Sequence, residues 1–346
     1  MIEDLQELLF ALCAEPGTPG DESEAARRAA RELSDCGETE IDRMGNVICH
    51  MGNRGAQRQI LLDAHLDQVG LIVTQIEKDG FLRIDRCGGT DRRVLPGSPV
   101  TVYGREPLTG VMCCMPPHLV EGGEDKVESI DRMAVDVGLS KEEAEALVSP
   151  GDRALIRAPQ KRLLGSRIAS PALDDRAGCA ALIRCAQLLH GENLSCGLTV
   201  LLSSREEVGG QGAQTGTFSL EPTEAIVVDV SFAAQPGVDP AKCGKLGGGP
   251  MIGMAPILNR PMVHRLKELA KKNEIPFTME IMGGETGTNA DGIAVSRAGV
   301  HTAMVSIPLR YMHTPVEVID VQDVEYTARL LAEYVEGGMR WRILNC

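Results

Sequence analysis

The chain has 346 residues, 43% of them hydrophobic, and carries 35 basic against 49 acidic side chains, a formal net charge of −14 at pH 7. A chain of this length is expected to form about two domains, and its acidic surplus argues against nucleic-acid binding, because no excess of cations can replace phosphate counterions. No apolar stretch approaches the roughly 18 residues of a membrane span, and the eleven cysteines include no CxxC pair. We therefore expect reduced thiols and a cytoplasmic protein without a membrane segment.

Helical and strand patterns alternate along most of the chain. Apolar residues recur at helical spacing in five segments: 2–13, 21–35, 175–190, 262–273 and 322–336. Four short apolar runs lie between them: Ile60–Leu62, Leu198–Leu202, Ala225–Val228 and Ala303–Ile307. Because these runs are continuous rather than alternating, they are typical of strands buried between helix layers, and they predict an α/β sheet.

Residues 69–163 have a different pattern. VGLIVTQIEKDGFLRID predicts a β-hairpin around Lys78-Asp79-Gly80, and further short strand candidates follow, separated by glycine, proline and charged residues. One short helix is expected at 141–148, with Ser140 as its N-cap. We predict that 69–163 is a β domain inserted into an α/β domain formed by 1–68 and 164–346.

Polar side chains gather where the predicted strands end, which is the edge at which ligands bind in open α/β sheets. A single histidine there is usually structural, and an aspartate that begins a helix is usually a cap. Together they would form a costly cluster of negative charge that a divalent cation such as Zn²⁺ relieves. The candidates are Asp63, His65 and Asp67, then Asp174 and Asp175, Glu206 and Glu207, Asp229 and His313.

The adjacent pair Glu206-Glu207 needs its own explanation, because neighbouring side chains of a continuing strand point to opposite faces. The chain must bend here, and Gly209-Gly210 allow that. One carboxylate can then bind a metal while the other accepts the proton of an activated water.

Several motifs, in their order and spacing, resemble the M42 family of metallo-aminopeptidases, also called the glutamyl aminopeptidase or TET family. The resemblance runs from about residue 3 to 340. Its motifs include HLDQVG (65–70), SPALDDRAG (170–178), EEVGGQGA (206–213), DVSFAAQPG (229–237) and RYMHTPVEVID (310–320).

The resemblance implies a mixed sheet sandwiched by helices, with a small β-barrel or PDZ-like domain inserted at 69–163 and used in dimerisation. It implies a role for each matching residue and a cis Asp174–Asp175 peptide bond. Asp174 would bridge two metals, Glu207 would complete the ligands of one, and Asp229 and His313 those of the other. His65 would be a further metal ligand, and Asp67 the carboxylate that orients it. Glu206 would be the general base.

The activity that the resemblance implies is removal of the N-terminal residue of short peptides by a water that bridges two divalent ions, Zn²⁺ or Co²⁺. It also implies a homo-oligomer, a dimer or a hollow dodecamer. Two alternatives stay open: a metal-dependent deacylase or carboxypeptidase acting on another amide, and a non-catalytic assembly protein of the same fold. Gln68, Gln211 and Asn289 stand where the family often has Glu, Arg and Asp, and these departures are expected to affect substrate preference or metal affinity more than the reaction itself.

Overall fold

A computed structural model describes residues 2–115 and 128–337. The described chain forms an eight-stranded mixed sheet, a closed six-stranded barrel and a small three-stranded sheet. The predicted mixed α/β class with an additional β-barrel is therefore confirmed. The barrel strands lie between residues 70 and 156, and the domain bounds at 68/69 and 163/164 stay a prediction.

Eight α-helices occur in the described residues, and the five long predicted ones match within two residues at each end. The predicted N-cap is also present: the Ser140 hydroxyl accepts from the Glu143 N–H, and the Glu143 carboxylate accepts from the Ser140 N–H. The helix at 211–220 was not predicted, because its glycines lower the helical pattern. The helices are α1 (Ile2–Cys13), α2 (Ser23–Leu33), α3 (Lys141–Leu147), α4 (Leu173–Leu189), α5 (Gln211–Leu220), α6 (Arg260–Lys272), α7 (Asn289–Ala294) and α8 (Val321–Glu336).

The large sheet has the strand order β1-β2-β12-β3-β13-β16-β14-β15. Its four central strands, β12, β3, β13 and β16, are mutually parallel, so their carboxyl ends share one edge. They contain the four predicted apolar runs. The strands of this sheet are β1 (Glu38–Ile41), β2 (Val47–Gly52), β3 (Gln59–His65), β12 (Gly197–Ser203), β13 (Glu224–Phe232), β14 (Met251–Met254), β15 (Thr278–Ile281) and β16 (His301–Leu309).

The barrel closes in the order β4-β5-β8-β7-β6-β9, and β4 and β5 form the hairpin predicted around residues 78–80. The small third sheet, β10-β11-β17, is separate from both the barrel and the large sheet. The strands are β4 (Gly70–Ile76), β5 (Leu82–Cys87), β6 (Pro99–Tyr103), β7 (Pro107–Met112), β8 (Ala134–Asp136), β9 (Arg153–Ile156), β10 (Lys161–Arg162), β11 (Arg167–Ser170) and β17 (Glu317–Asp320).

The described part of the chain contains a small apolar cluster of Ala233, Leu246 and Val318 and two large ones. One lies between the large sheet and the helices packed on it, of which α4 contacts β3, β13, α1 and α8. The other fills the barrel and includes Leu71, Leu82 and Val102. No helix among the described residues has the length and hydropathy needed to cross a membrane.

Candidate metal centre

The seven residues for which the sequence predicted a role come together at the carboxyl edge of the large sheet. β3 ends in a buried histidine, the first turn of α4 and the loop after β16 approach the same point, and a turn after β12 contributes two glutamates. Asp229 was expected just after its strand, but β13 continues to Phe232, so Asp229 projects from within the strand. Six of the seven are among the residues that line a cavity of about 910 Å³: His65, Asp174, Glu206, Glu207, Asp229 and His313. The seventh, Asp67, is buried beside them.

The bend predicted at the glutamate pair is present. Arg205 adopts a left-handed conformation with φ of 60°, and a short 3-10 turn covers Glu206–Val208. Gly209 and Gly210 follow with φ of 126° and 71°, which are favourable for glycine. This turn brings both glutamates to the cavity instead of placing them on opposite faces of a strand.

Asp174 lies at the centre of the cluster, between the two histidines. Its Oδ1 is 3.2 Å from His65 Nε2, and its Oδ2 is 3.4 Å from His313 Nε2. Beyond the histidines, His65 Nε2 is 3.8 Å from Asp229 Oδ1, and His313 Nε2 is 3.5 Å from Glu207 Oε2. The peptide bond between Asp174 and Asp175 is cis, as predicted.

Asp67 connects two parts of the site. Its carboxylate oxygens accept hydrogen bonds from the backbone N–H groups of Glu206, at 3.0 Å, and Glu207, at 3.1 Å. His65 Nδ1 lies 3.0 Å from the backbone carbonyl of Asp67 and 3.5 Å from its Oδ1. The carboxylate therefore holds the glutamate turn at least as directly as it orients the histidine.

Two further residues, Glu317 and Gly89, form hydrogen bonds with predicted site residues, and the sequence analysis missed both. Glu317 is buried, and its two oxygens accept from the backbone N–H groups of Asp174, at 3.1 Å, and His313, at 2.9 Å. A lone glutamate in the apolar stretch VEVID was the available signal. The carbonyl of Gly89 lies 3.1 Å from His313 Nδ1, and since a carbonyl can only accept, this contact leaves Nε2 free to bind a ligand.

The carboxylates of the cluster repel one another in a buried setting. Burial, reinforced by the charge of Asp174, raises the pKa of Glu207 to about 8 and that of Asp229 well above its ordinary value. Burial also acts to raise the pKa of Asp174, but hydrogen bonds from His313 and His65 outweigh it and hold that pKa below its usual range. The hydrogen bond to Asp174 raises the pKa of His313 to about 9.

This donor set fits divalent cations. Ligand atoms of His65, Asp174 and Glu207 all lie within 4.8 Å of one another, and so do those of His65, Asp175 and Asp229. Imidazole and carboxylate together suit Zn²⁺ and similar ions. A cation would also offset the repulsion that raises the pKa values of the buried carboxyls.

Of the three departures from the family pattern, Asn289 has the clearest structural context. Its Nδ2 donates to the buried carboxylate of Asp63, at 3.0 Å, and to Ser203 Oγ, at 2.9 Å. Burial raises the pKa of Asp63 to about 7, so an aspartate at 289 would add a second carboxyl group next to it. Gln211 donates to the carbonyl of Val208 and so holds the glutamate turn.

Comparisons with known proteins agree with this geometry. The family model described as M42 glutamyl aminopeptidase matches residues 45–330. A lysyl aminopeptidase from Pyrococcus furiosus is 35% identical over 339 residues, which cover 95% of this chain and 96% of the relative. An aminopeptidase structure from the archaeon Desulfurococcus kamchatkensis has a TM-score of 0.91 and 32% identity, covering 97% of this chain and 96% of that one. The Pyrococcus horikoshii TET1 peptidase, which can assemble into a tetrahedron or a large octahedral shell, has a TM-score of 0.86 and 30% identity, covering 96% and 99%.

Proposed function

Since the chain belongs to the M42 glutamyl aminopeptidase family and is an aminopeptidase, a hydrolase of peptide bonds, we propose that it acts on short peptides with a free N-terminus through two divalent ions. Zn²⁺ and Co²⁺ are the proposed metals. The observation that carries this proposal is the position of Asp174, whose two oxygens face different histidines.

The distances support one partition of the ligands. His65 and Asp229 would hold one ion with Oδ1 of Asp174, and Glu207 and His313 the other with Oδ2. This differs from the partition that the resemblance implied, in which His313 was grouped with Asp229. When bound, two such ions would polarise the scissile carbonyl and lower the pKa of the attacking water, so that it can lose a proton and become nucleophilic near neutral pH.

Glu206 is the proposed general base. Its carboxyl is largely buried beside the cluster, and burial together with the charges of Asp67 and Asp174 raises its pKa above the ordinary value despite the opposing effect of His65. A carboxylate with a raised pKa takes up a proton more readily near neutral pH. Glu206 would accept a proton from the attacking water and donate it to the leaving nitrogen as the C–N bond breaks. Asp67 fixes this residue through its backbone N–H.

The acidic cavity favours substrates with a free amine. A free amine would bind one of the two ions or a carboxylate of the cavity that is not a metal ligand, whereas an acetylated nitrogen can do neither. This difference supports an aminopeptidase over a deacylase or a carboxypeptidase.

We further propose a homo-oligomer, a dimer or a dodecamer, that uses the barrel domain at 69–163. The support is the similarity to the TET1 peptidase and its assemblies. The ten cysteines in the described part of the chain are free, which supports a reducing, cytoplasmic location.

The test compares wild type, Glu206→Gln and the control Glu145→Gln, which changes the same group at a distant surface site on α3. Metal ions per chain are counted, and release of N-terminal residues is measured on matched free and N-acetylated peptides. All three proteins should hold about two ions per chain, and wild type and Glu145→Gln should cleave only free-amine peptides. Glu206→Gln should be slower by roughly 10²- to 10⁴-fold.

Other outcomes would point elsewhere. Cleavage of acetylated peptides at a similar rate would favour the deacylase alternative, and release of C-terminal residues the carboxypeptidase. Full activity in Glu206→Gln would remove Glu206 from the mechanism. Failure to bind metal under replete conditions would overturn the site.

A further inference from the structure

The cavity extends beyond the proposed metal ligands into a region with apolar walls. Five methionines line it: Met251, Met279, Met282, Met304 and Met312. Thioether side chains are flexible and polarisable, so they adapt to aliphatic groups of different shape. This part of the cavity therefore suits a long, unbranched hydrocarbon chain.

Two carboxylates outside the proposed site residues line the cavity, and one of them, Asp291, accepts hydrogen bonds from the N–H and the hydroxyl of Thr286. The other is that of Glu280 on β15. The hydroxyl of Ser231 donates to its Oε1, and the hydroxyl of Ser306 donates to its Oε2 at 2.6 Å. Both serines are buried. The carboxylate is thus held in place by two hydrogen bonds, and the remaining acceptor capacity of its oxygens is available to a ligand in the cavity.

The two serines give the position of Glu280 relative to the metal cluster. Ser231 is two residues beyond Asp229 on β13, so both side chains lie on the same face of the sheet. Ser306 is the register partner of Asp229 on β16. The two residues of strand from Asp229 to Ser231 span about 7 Å, and an extended lysine spans roughly 6 Å from Cα to Nζ. A lysine whose backbone lies at the metal cluster can therefore extend its ammonium group about as far as Ser231.

Strand β14, which lies between β15 and β16, has no side chain at the position that separates Glu280 from these serines. Gly253 on β14 is the register partner of Glu280, and it has no side chain to fill the space. A Cβ atom at Gly253 would lie 3.3 Å from Leu258, Met282 and Met304 atoms, so even alanine would crowd the wall here.

The charge of Glu280 has no cationic partner among the described residues. Its hydrogen-bond partners there are the two serine hydroxyls. Lys242 also lines the cavity, but it belongs to an exposed 3-10 turn at 240–242 and forms no ion pair with Glu280. A cation from outside the chain can therefore fill this position.

We propose that this region receives the side chain of the substrate's first residue and that Glu280 selects lysine or arginine there. The inference rests on the proposed function and adds its substrate class. The aliphatic stem of such a residue packs against the methionines, and its charged end forms a charge-assisted hydrogen bond with Glu280. Glu280 acts as a specificity-determining residue, since it does not reach the scissile bond.

The test uses three tripeptides that differ only in their first residue: Lys-Ala-Ala, norleucine-Ala-Ala and Glu-Ala-Ala. Norleucine keeps the stem of lysine and lacks its ammonium group. In wild type, kcat/KM should be about ten- to a hundredfold higher for the lysyl than for the norleucyl peptide, the range expected of a hydrogen bond to a charged group. In Glu280→Gln this ratio should fall to near one.

Glu285→Gln is the matched control, because Glu285 is an exposed neighbour outside the cavity lining. It should keep the wild-type ratio. Equal rates for lysine and norleucine in wild type, or the same loss in both variants, would overturn the inference. A wild-type preference for the glutamyl peptide would do so as well, and would assign specificity to Lys242.

A binding measurement separates this inference from the proposed function. Free L-lysine and L-norleucine are titrated into the metal-loaded proteins by calorimetry. If no peptide is cleaved, the proposed function fails, but tighter binding of lysine that Glu280→Gln abolishes still supports the pocket. Equal binding of both amino acids overturns the pocket even if peptides are cleaved.

Discussion

The barrel and the carboxyl edge of the large sheet differ in whether they bury charged side chains. Among the described residues of the barrel, between 70 and 156, no charged side chain is buried. At the sheet edge six carboxyl groups and a histidine are buried within one cluster: Asp63, His65, Asp67, Asp174, Asp175, Asp229 and Glu317. Buried charges destabilise a fold unless they are paired or bind a metal, so the barrel has the composition expected of a stabilising module, and the sheet edge that of a functional site.

The two regions meet at the histidine on the loop after β16. Gly89, just beyond the last residue of β5, accepts from the ring of His313, and the N–H of Asp91 donates to the His313 carbonyl. A barrel loop therefore positions a proposed metal ligand. The comparison predicts that a substitution in the barrel core lowers stability and leaves activity nearly unchanged, whereas a substitution in the carboxylate cluster lowers activity without lowering stability. A substitution where the two regions meet should lower activity more than stability.

The largest effect on activity is expected from Asp229→Asn. Because the pKa of Asp229 is raised by burial and by Asp174, its ionised form destabilises the folded protein above its unfolded pKa, and a neutral asparagine removes that effect. Metal-stripped Asp229→Asn should be more stable than metal-stripped wild type at pH 8. Its peptidase activity should fall beyond the ~10- to 100-fold typical of residues behind a ligand.

Denaturant unfolding and peptide assays check this prediction, with Asp79→Asn in the exposed barrel hairpin as the control. The control should change neither quantity appreciably. A loss of stability in Asp229→Asn as large as that of a core truncation would mean that the cluster is structural.

In the barrel, Leu82→Ala should have the reverse outcome. Leu82 is fully buried in the barrel core, and truncation of such a leucine costs about 2–5 kcal/mol through lost burial and the cavity left behind. Activity per folded molecule should stay close to wild type. Val111→Ala, at a position 49% exposed, should cost less than about 0.5 kcal/mol, and equal losses for the two variants would contradict a separate barrel core.

At the junction, Gly89→Ala should lower activity by about 10- to 100-fold with little change in barrel stability. A Cβ atom at Gly89 would lie 2.6 Å from His313 Nδ1 and 2.7 Å from its Cε1, so the ring must move. Gly55→Ala, where the nearest atom would be at an ordinary 3.4 Å, is the control. Unchanged activity in Gly89→Ala would show that the barrel loop does not position the histidine.

The smallest effect is a pH dependence confined to the metal-stripped protein. The pKa of Glu207 is raised to about 8 by burial and then by Asp174, and that of His313 to about 9 by its hydrogen bond to Asp174. For the glutamate, destabilisation begins above its unfolded pKa near 4.5 and grows up to pH 8; for the histidine, stability present below about pH 6.5 is lost through pH 9. Both therefore lower the melting temperature between pH 6 and 9, whereas the lowered pKa of Asp174 acts at more acidic pH.

Calorimetry of chelator-treated protein across this range measures the effect, and Glu207→Gln should flatten the dependence. Added divalent ions should raise the melting temperature more at pH 9 than at pH 6, because protons compete for the same groups. A melting temperature that rises with pH in the stripped protein would contradict these shifts.

Local patterns in the sequence were enough to predict the central strands, the long helices and the bend at the glutamate pair. Hydrophobic periodicity and glycine position are properties of neighbouring residues, so they can be recognised without knowledge of the fold. Strand β14, the edge strand β15 and the glycine-containing helix α5 were missed, since their formation depends on partners far along the chain.

The sequence alone determined which side chains could carry the chemistry, because their types and their places after apolar runs are local facts. Only the tertiary structure decided how they meet: Glu317 beneath two proposed ligands, Gly89 against a histidine 224 positions away, and Glu280 held by serines of two other strands. Such contacts follow from strand order and register, which join distant segments at one sheet edge and leave no periodic trace in the sequence.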